Sequence, residues 1–161
     1  MQERFRPSVT VAAVIEKDGK FLLVEEHTPE GLRLNNPAGH LEGGEGLVQA
    51  CVRETLEETA HHFTPTALVG MYMARFQRPL VEGAQDITYL RFAFCGTLGT
   101  LAPARVAGMA GEGIARILWM TPDDIRKSAA QHRSPLLLRC IEDYLAGQRL
   151  PLSALYTDPS I

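Results

Sequence analysis

Residues 39–58 read Gly39-His-Leu-Glu-Gly-Gly-Glu45-Gly-Leu-Val-Gln-Ala-Cys-Val-Arg53-Glu54-Thr-Leu-Glu57-Glu58. A glycine-rich turn leads into a segment of good helix formers, and the segment ends in acids. Glu54, Glu57 and Glu58 stand at i, i+3 and i+4, so on a helix they share an arc of about 100°. Val48, Cys51, Val52, Thr55 and Thr59 fall on the opposite side and form the core face. Like charges at this spacing repel by a few tenths of a kcal/mol per pair, roughly. A cation converts that repulsion into binding energy, and an all-oxygen donor set suits Mg²⁺ or Mn²⁺, ions that commonly work on phosphate-bearing substrates.

A lone Glu-Glu pair on a helix is ordinarily a solvated face. The register with the residues upstream sets this one apart. Gly39, five residues, Glu45, seven residues, Arg53-Glu54, two residues and Glu57-Glu58 resembles the box G-x5-E-x7-R-E-U-x-E-E-x-G-U of the Nudix hydrolases, where U is aliphatic. Agreement at all the charged and loop-glycine positions is far more specific than any pair among them. Three positions depart from the box. Thr55 replaces an aliphatic residue; its methyl can pack while its hydroxyl bonds back to the Cys51 carbonyl. Ala60 replaces the closing glycine and His61 the aliphatic residue after it. Without that glycine the easy left-handed stop is gone, so the helix either runs on to His61 or His62 or closes in another way.

The resemblance extends beyond the box. Pro7-Ser-Val-Thr-Val-Ala-Ala-Val, Gly19-Lys-Phe-Leu-Leu-Val-Glu-Glu, Asn36-Pro-Ala-Gly-His-Leu-Glu, Arg133-Ser-Pro-Leu and Ala146-Gly-Gln-Arg-Leu-Pro-Leu are similar to the NudJ phosphatase subgroup over nearly the whole chain. Leu34 stands where many relatives carry a tryptophan. The resemblance implies an α/β fold, an α/β/α sandwich with a mixed β-sheet, as one domain over residues 1–161. It also implies Mg²⁺- or Mn²⁺-dependent hydrolysis of a diphosphate bond. The subgroup's substrates are nucleoside tri- and diphosphates and thiamine-related pyrimidine diphosphates, from which terminal phosphate is removed. Two other readings stand beside it: a pyrophosphohydrolase of nucleotide sugars or dinucleotides, and a catalytically silent nucleotide-binding domain.

By the same resemblance Glu54 and Glu58 are the main metal ligands, Glu57 a further ligand directly or through water, and the Gly39 carbonyl the ligand that is not a carboxylate. Arg53 and Glu45 organise them, because a guanidinium fork can bridge two carboxylates. The general base is either a box glutamate, Glu54 or Glu58, or Glu112, an acid in a Gly-rich stretch seven residues before Trp119; Glu112 would also bind metal. Substrate contacts stay unassigned. Arg33, Arg75 and Arg91 are candidates for phosphate, and His40 for phosphate or a turn. One or two of Tyr72, Phe76, Tyr89 and Phe94 are candidates for stacking on a substrate ring, the rest being core.

At 161 residues the chain is long enough for one substantial core. A net charge of −3 with no basic stripe argues against a nucleic-acid polymer as partner. It leaves a small phosphoanhydride as the expected substrate and a monomer or homodimer as the expected state. No apolar run is long enough for a membrane span, and the first residues lack the apolar stretch of a secretory signal. The three cysteines, Cys51, Cys95 and Cys140, are widely spaced in apolar stretches and read as buried thiols. A cytoplasmic protein is expected.

Along the chain, Ser8–Ile15 and Phe21–Glu26 read as strands around an Asp18-Gly19 hairpin turn. Residues 28–33 read as a loop, and 46–59 as the box helix. Residues 67–76 and 87–98 read as strands joined through 77–84, residues 102–113 as a flexible loop, and 114–120 as a strand. Thr121-Pro122 and Ser134-Pro135 each open a helix, the second stopped by Gly147.

Overall fold

Strand β1 (Ser8–Val14) sets the two-sided plan of the molecule. Its side chains alternate between two apolar clusters, as a strand buried on both faces must. Val11 and Ala13, with Ile15 just beyond, join Phe63, Leu68 and Phe94 under the box helix. Ala12 and Val14 join Phe21, Leu23, Val69, Leu137, Cys140 and Ile141 on the other side. The computed structural model describes residues 4–79, 84–102 and 113–161.

After β1 come β2 (Glu16–Lys17), β3 (Lys20–Thr28), β4 (Gly31–Asn35) and β5 (Ala38–His40). The box helix α1 spans Leu47–Thr59, followed by β6 (His61–Pro79), β7 (Ala84–Leu101) and β8 (Ile114–Met120). Helices α2 (Pro122–Lys127) and α3 (Leu136–Leu145) come next, with single 3₁₀ turns at Ala129–Gln131 and Leu152–Ala154. One sheet has the order β5-β1-β7-β6; in the other β3 pairs with β2, β4 and β8. The β1–β7 pairing is parallel and the remaining ladders are antiparallel, so the first sheet is mixed. Helix α1 covers one face of it and α3 the other, the α/β/α sandwich expected. A fully buried Phe94 or Ile141 contributes roughly 1.5–3 kcal/mol of apolar burial on each side.

Local chemistry explains the joints. Asp18 and Gly19 both take positive φ, 52° and 74°, which a two-residue hairpin turn requires. Thr121 caps α2, its hydroxyl accepting from Asp124 N at 3.2 Å. Gly147, at φ 83°, follows the end of α3.

Three expectations are corrected and one alternative left open is decided. The loop expected over 28–33 shrinks to Pro29–Glu30, because Gly31–Asn35 pairs with β3 across a turn closed by Thr28 Oγ1 on Gly31 O at 2.7 Å. The strands expected over 67–76 and 87–98 are longer, and their ladder reaches Pro79 opposite Ala84. Arg75 clasps Asp86 across that extension; residues 80–83 lie outside the described residues. Helix α1 ends at Thr59, as read, and of the two stops left open it takes the second and does not run on into His61. Ala60 adopts the left-handed conformation itself, at φ 58°, and its N–H bonds Leu56 O at 2.9 Å. The tail after Pro151, read as having no element, carries the second 3₁₀ turn, whose Leu152 packs against the α1 cluster. The segment read as a flexible loop, 102–113, lies outside the described residues except at its two ends.

Candidate active site

Arg53 is the hub of the box. Its Nε donates to Glu45 Oε2 at 3.0 Å and its Nη2 to Glu45 Oε1 at 2.7 Å, a parallel two-bond clasp. Nη1 reaches Glu54 Oε1 at 2.8 Å and Glu57 Oε2 at 3.1 Å, and Nη2 also donates to His40 O at 3.0 Å. One guanidinium thereby ties the glycine turn to the acidic face of α1. Hydrogen bonding to Glu45 raises Arg53 above its ordinary value, and the same bond, from the other side, holds Glu45 below its own. Gln49 tightens the turn further, accepting from Gly46 N at 2.8 Å.

The carboxylates nearer the sheet are under the opposite pressure. Burial pushes Glu54 up, against the pull of Arg53. Glu58 is pushed up to about 8, first by burial and then by Glu26, Glu54 and Glu57, while the Ala38 N–H, 2.9 Å from Oε2, opposes the shift. Acids this crowded are short of positive charge. Gly39 packs directly against the Glu54 carboxyl, where any Cβ would collide with it. The glycine lets the backbone approach the carboxylate as Arg53 holds it; with a side chain there, one of the two would have to shift.

These features fit a hard divalent cation: an all-oxygen donor set, a desolvated carboxylate beside other acids, and a backbone held against one of them. As placed, Glu54 and Glu57 face Arg53 and Glu58 faces Ala38 N. Among the described residues no three His, Cys, Asp or Glu side chains already converge on one point. Glu54, Glu57 and Glu58 are each bonded to a partner through one oxygen, and binding an ion would draw the carboxylates closer together.

Beside Gly39 and Glu58 opens a cavity of about 390 Å³. Strand register lines up one wall: Thr10 faces His40 on β5 and Arg91 on β7, and Arg91 faces Tyr72 on β6. Arg91 Nη1 and Nη2 lie 3.5 and 3.3 Å from Asn36 Oδ1 and Asn35 Oδ1, and Asn35 Nδ2 donates to Glu26 Oε1 at 2.9 Å. The Cys140 thiol, pushed up to about 11 by burial, lies beside the same guanidinium, which opposes that shift.

Of the residues singled out in the sequence, Gly39, Glu45, Arg53, Glu54, Glu57 and Glu58 come together here. Glu112 lies outside the described residues. Among the candidate arginines, Arg91 lines the cavity, Arg75 pairs with Asp86 on the surface, and Arg33 bonds the carbonyl of Leu32. Phe76 and Tyr89 line the cavity; Phe94 is core, and Tyr72 donates to Asp143 at 2.9 Å. Thr55 donates to Cys51 O at 2.8 Å, as expected, and the three cysteines are buried and free. Thr10, Asn35 and Asn36 were missed. A threonine in a strand or an asparagine before a proline carries no signal until register places it beside Arg91.

A profile of the NUDIX domain family matches residues 4–140. The chain is 38% identical over 152 residues to the phosphatase NudJ of Shigella boydii, a match covering 94% of this chain and 92% of that protein. Identity to the phosphatase NudJ of Escherichia coli K12 is 37% over the same shares. A solved NUDIX hydrolase from Nitrosomonas europaea superposes with a TM-score of 0.82 at 49% identity, covering 95% of this chain and 98% of that one. No helix among the described residues is long and apolar enough to cross a membrane. On this profile and these identities the chain belongs to the Nudix family, hydrolases that act on pyrophosphate bonds.

Proposed function

We propose that this chain is a Mg²⁺- or Mn²⁺-dependent enzyme of the NudJ kind. Its proposed reaction removes terminal phosphate from nucleoside tri- and diphosphates or from thiamine-related pyrimidine diphosphates. The observation that carries this reading is the placement of Glu58, a half-buried acid crowded by Glu26, Glu54 and Glu57 and pushed up to about 8, on the wall of a cavity of substrate size. The likeness to NudJ phosphatases over most of both chains supports a phosphatase activity. The whole chain, 1–161, would act as one domain, in the cytoplasm.

In this reading Glu54 and Glu58 hold the ion, with Glu57 as a further ligand directly or through water and the Gly39 carbonyl as the backbone ligand. The bound ion supplies charge neutralisation at the phosphoanhydride and an acidified water. Arg53, fixed by Glu45, would hold one oxygen each of Glu54 and Glu57 and so orient both carboxylates. The proton of the attacking water goes to Glu54, Glu58 or Glu112.

A substrate panel run with Mg²⁺ and with chelator tests the proposal. Release of orthophosphate from nucleoside and pyrimidine diphosphates, abolished by chelator, is expected. Nucleoside monophosphate plus a sugar phosphate, with no orthophosphate, would instead favour nucleotide-sugar hydrolysis. No turnover of any diphosphate would favour a silent nucleotide-binding domain.

A further inference from the structure

Two buried polar atoms of the described chain have no hydrogen-bond partner, Thr10 Oγ1 and Arg91 Nε. Both residues line the same cavity, and each is only 7% exposed. Orphaned buried donors are rare and costly, and two on adjacent strands, opposite one another in register, point to a missing third party. Arg91 is otherwise held by neutral partners: the oxygens of Asn35 and Asn36, at distances of 3.3 and 3.5 Å that make both bonds weak, and the Cys140 thiol beside it. These contacts orient the guanidinium.

We propose that Arg91 and Thr10 recognise the organic part of the substrate, a flat heterocycle presenting adjacent hydrogen-bond acceptors to the guanidinium edge. This rests on the function proposed above and adds which residues select the substrate. Two observations favour a ring. Phe76 and Tyr89 line the same cavity, in edge-to-face contact with ring centroids 5.5 Å apart, and offer aromatic surface to a ring. The volume, about 390 Å³, falls in the range of small-molecule sites, roughly 300–1,000 Å³. Glu26, bonded to Asn35 on the far side of that amide from Arg91, supplies an acceptor for an exocyclic amine on the same ring.

The test compares Arg91→Gln, Arg91→Lys and Thr10→Val with the unmodified chain on two diphosphates, a nucleoside diphosphate and an alkyl diphosphate with no ring. Loss of a bidentate arginine contact costs about tenfold or more. Arg91→Gln is therefore expected to lower kcat/KM for the nucleoside diphosphate at least about tenfold more than for the alkyl one. Arg91→Lys keeps charge without the fork and should fall with Gln. Thr10→Val preserves shape and should show a smaller selective loss. Equal losses on both substrates, or full rescue by lysine, would mean that the charge serves phosphate and would overturn the proposal. Circular dichroism separates misfolding from selectivity; should Arg91→Gln unfold, Thr10→Val carries the comparison. Binding of free nucleosides in EDTA, followed by saturation-transfer NMR, reads the ring site without turnover. Binding weakened by Arg91→Gln or Thr10→Val supports the proposal even if the reaction is misassigned, and no nucleoside binding to the unmodified chain would sink it.

Discussion

Glu45 and Arg53 share two parallel hydrogen bonds, Nε to Oε2 at 3.0 Å and Nη2 to Oε1 at 2.7 Å, across the junction between glycine turn and helix. Removing the fork without the charge isolates its geometric role. Arg53→Lys is expected to lower kcat about 10–100-fold, the usual cost of losing a partner that orients metal ligands, with Tm little changed. Steady-state kinetics beside a thermal melt checks this; wild-type turnover would show that the clasp is ornamental to catalysis.

Gly39→Ala should be more severe than its size suggests. The new Cβ would collide with the Glu54 carboxyl, so one of the two must move. Mn²⁺ affinity, read by electron paramagnetic resonance, is expected to fall about tenfold or more while the far-UV spectrum stays that of the parent. Unaltered affinity would remove Gly39 from the ion site.

Ala60 holds a left-handed φ of 58°, a conformation that costs an L-residue roughly 1–2 kcal/mol and glycine little. Ala60→Gly should stabilise the fold by up to about 1 kcal/mol, or roughly 2–4 °C in Tm, with kinetics unaffected. A lower Tm would mean that the entropy of the glycine outweighs the relieved strain.

This helix end shows where the sequence was legible and where it was not. The acids, the Arg53 clasp and the Thr55–Cys51 bond follow from spacing along one helix, and spacing is local. The stop at Ala60 depends on the tertiary pull of β6, which begins at His61 and drags the backbone into a conformation that alanine alone would avoid. Strand β4 was hidden for a similar reason: residues 28–33 contain Pro29 and Gly31, and only pairing with β3 makes Gly31–Asn35 extended. Arg91 could be named from sequence but not separated from Arg33 and Arg75, because all three look alike until the register sets Arg91 across from Thr10 and Tyr72.

His132 gives the fold an acid-sensitive joint. Burial holds its imidazole below the ordinary 6.5, against the pull of the hydrogen bond between Nε2 and Ile125 O at 2.9 Å. Below about pH 6.5 the unfolded chain therefore binds a proton that the folded one resists, so this contribution is complete above that pH and is lost as the pH falls toward the folded value. Scanning fluorimetry from about pH 7.5 to about pH 5.5 should show a larger loss of Tm in the parent than in His132→Gln. Parallel curves would contradict it.

The central claim is that the acidic face of α1 holds divalent ions where a phosphoanhydride is split. Anomalous diffraction from crystals soaked in Mn²⁺ tests it most directly. A peak within about 2.5 Å of carboxylate oxygens of Glu54 and Glu58 is expected. An empty α1 face in crystals of protein that hydrolyses diphosphates only with Mn²⁺ would contradict the account.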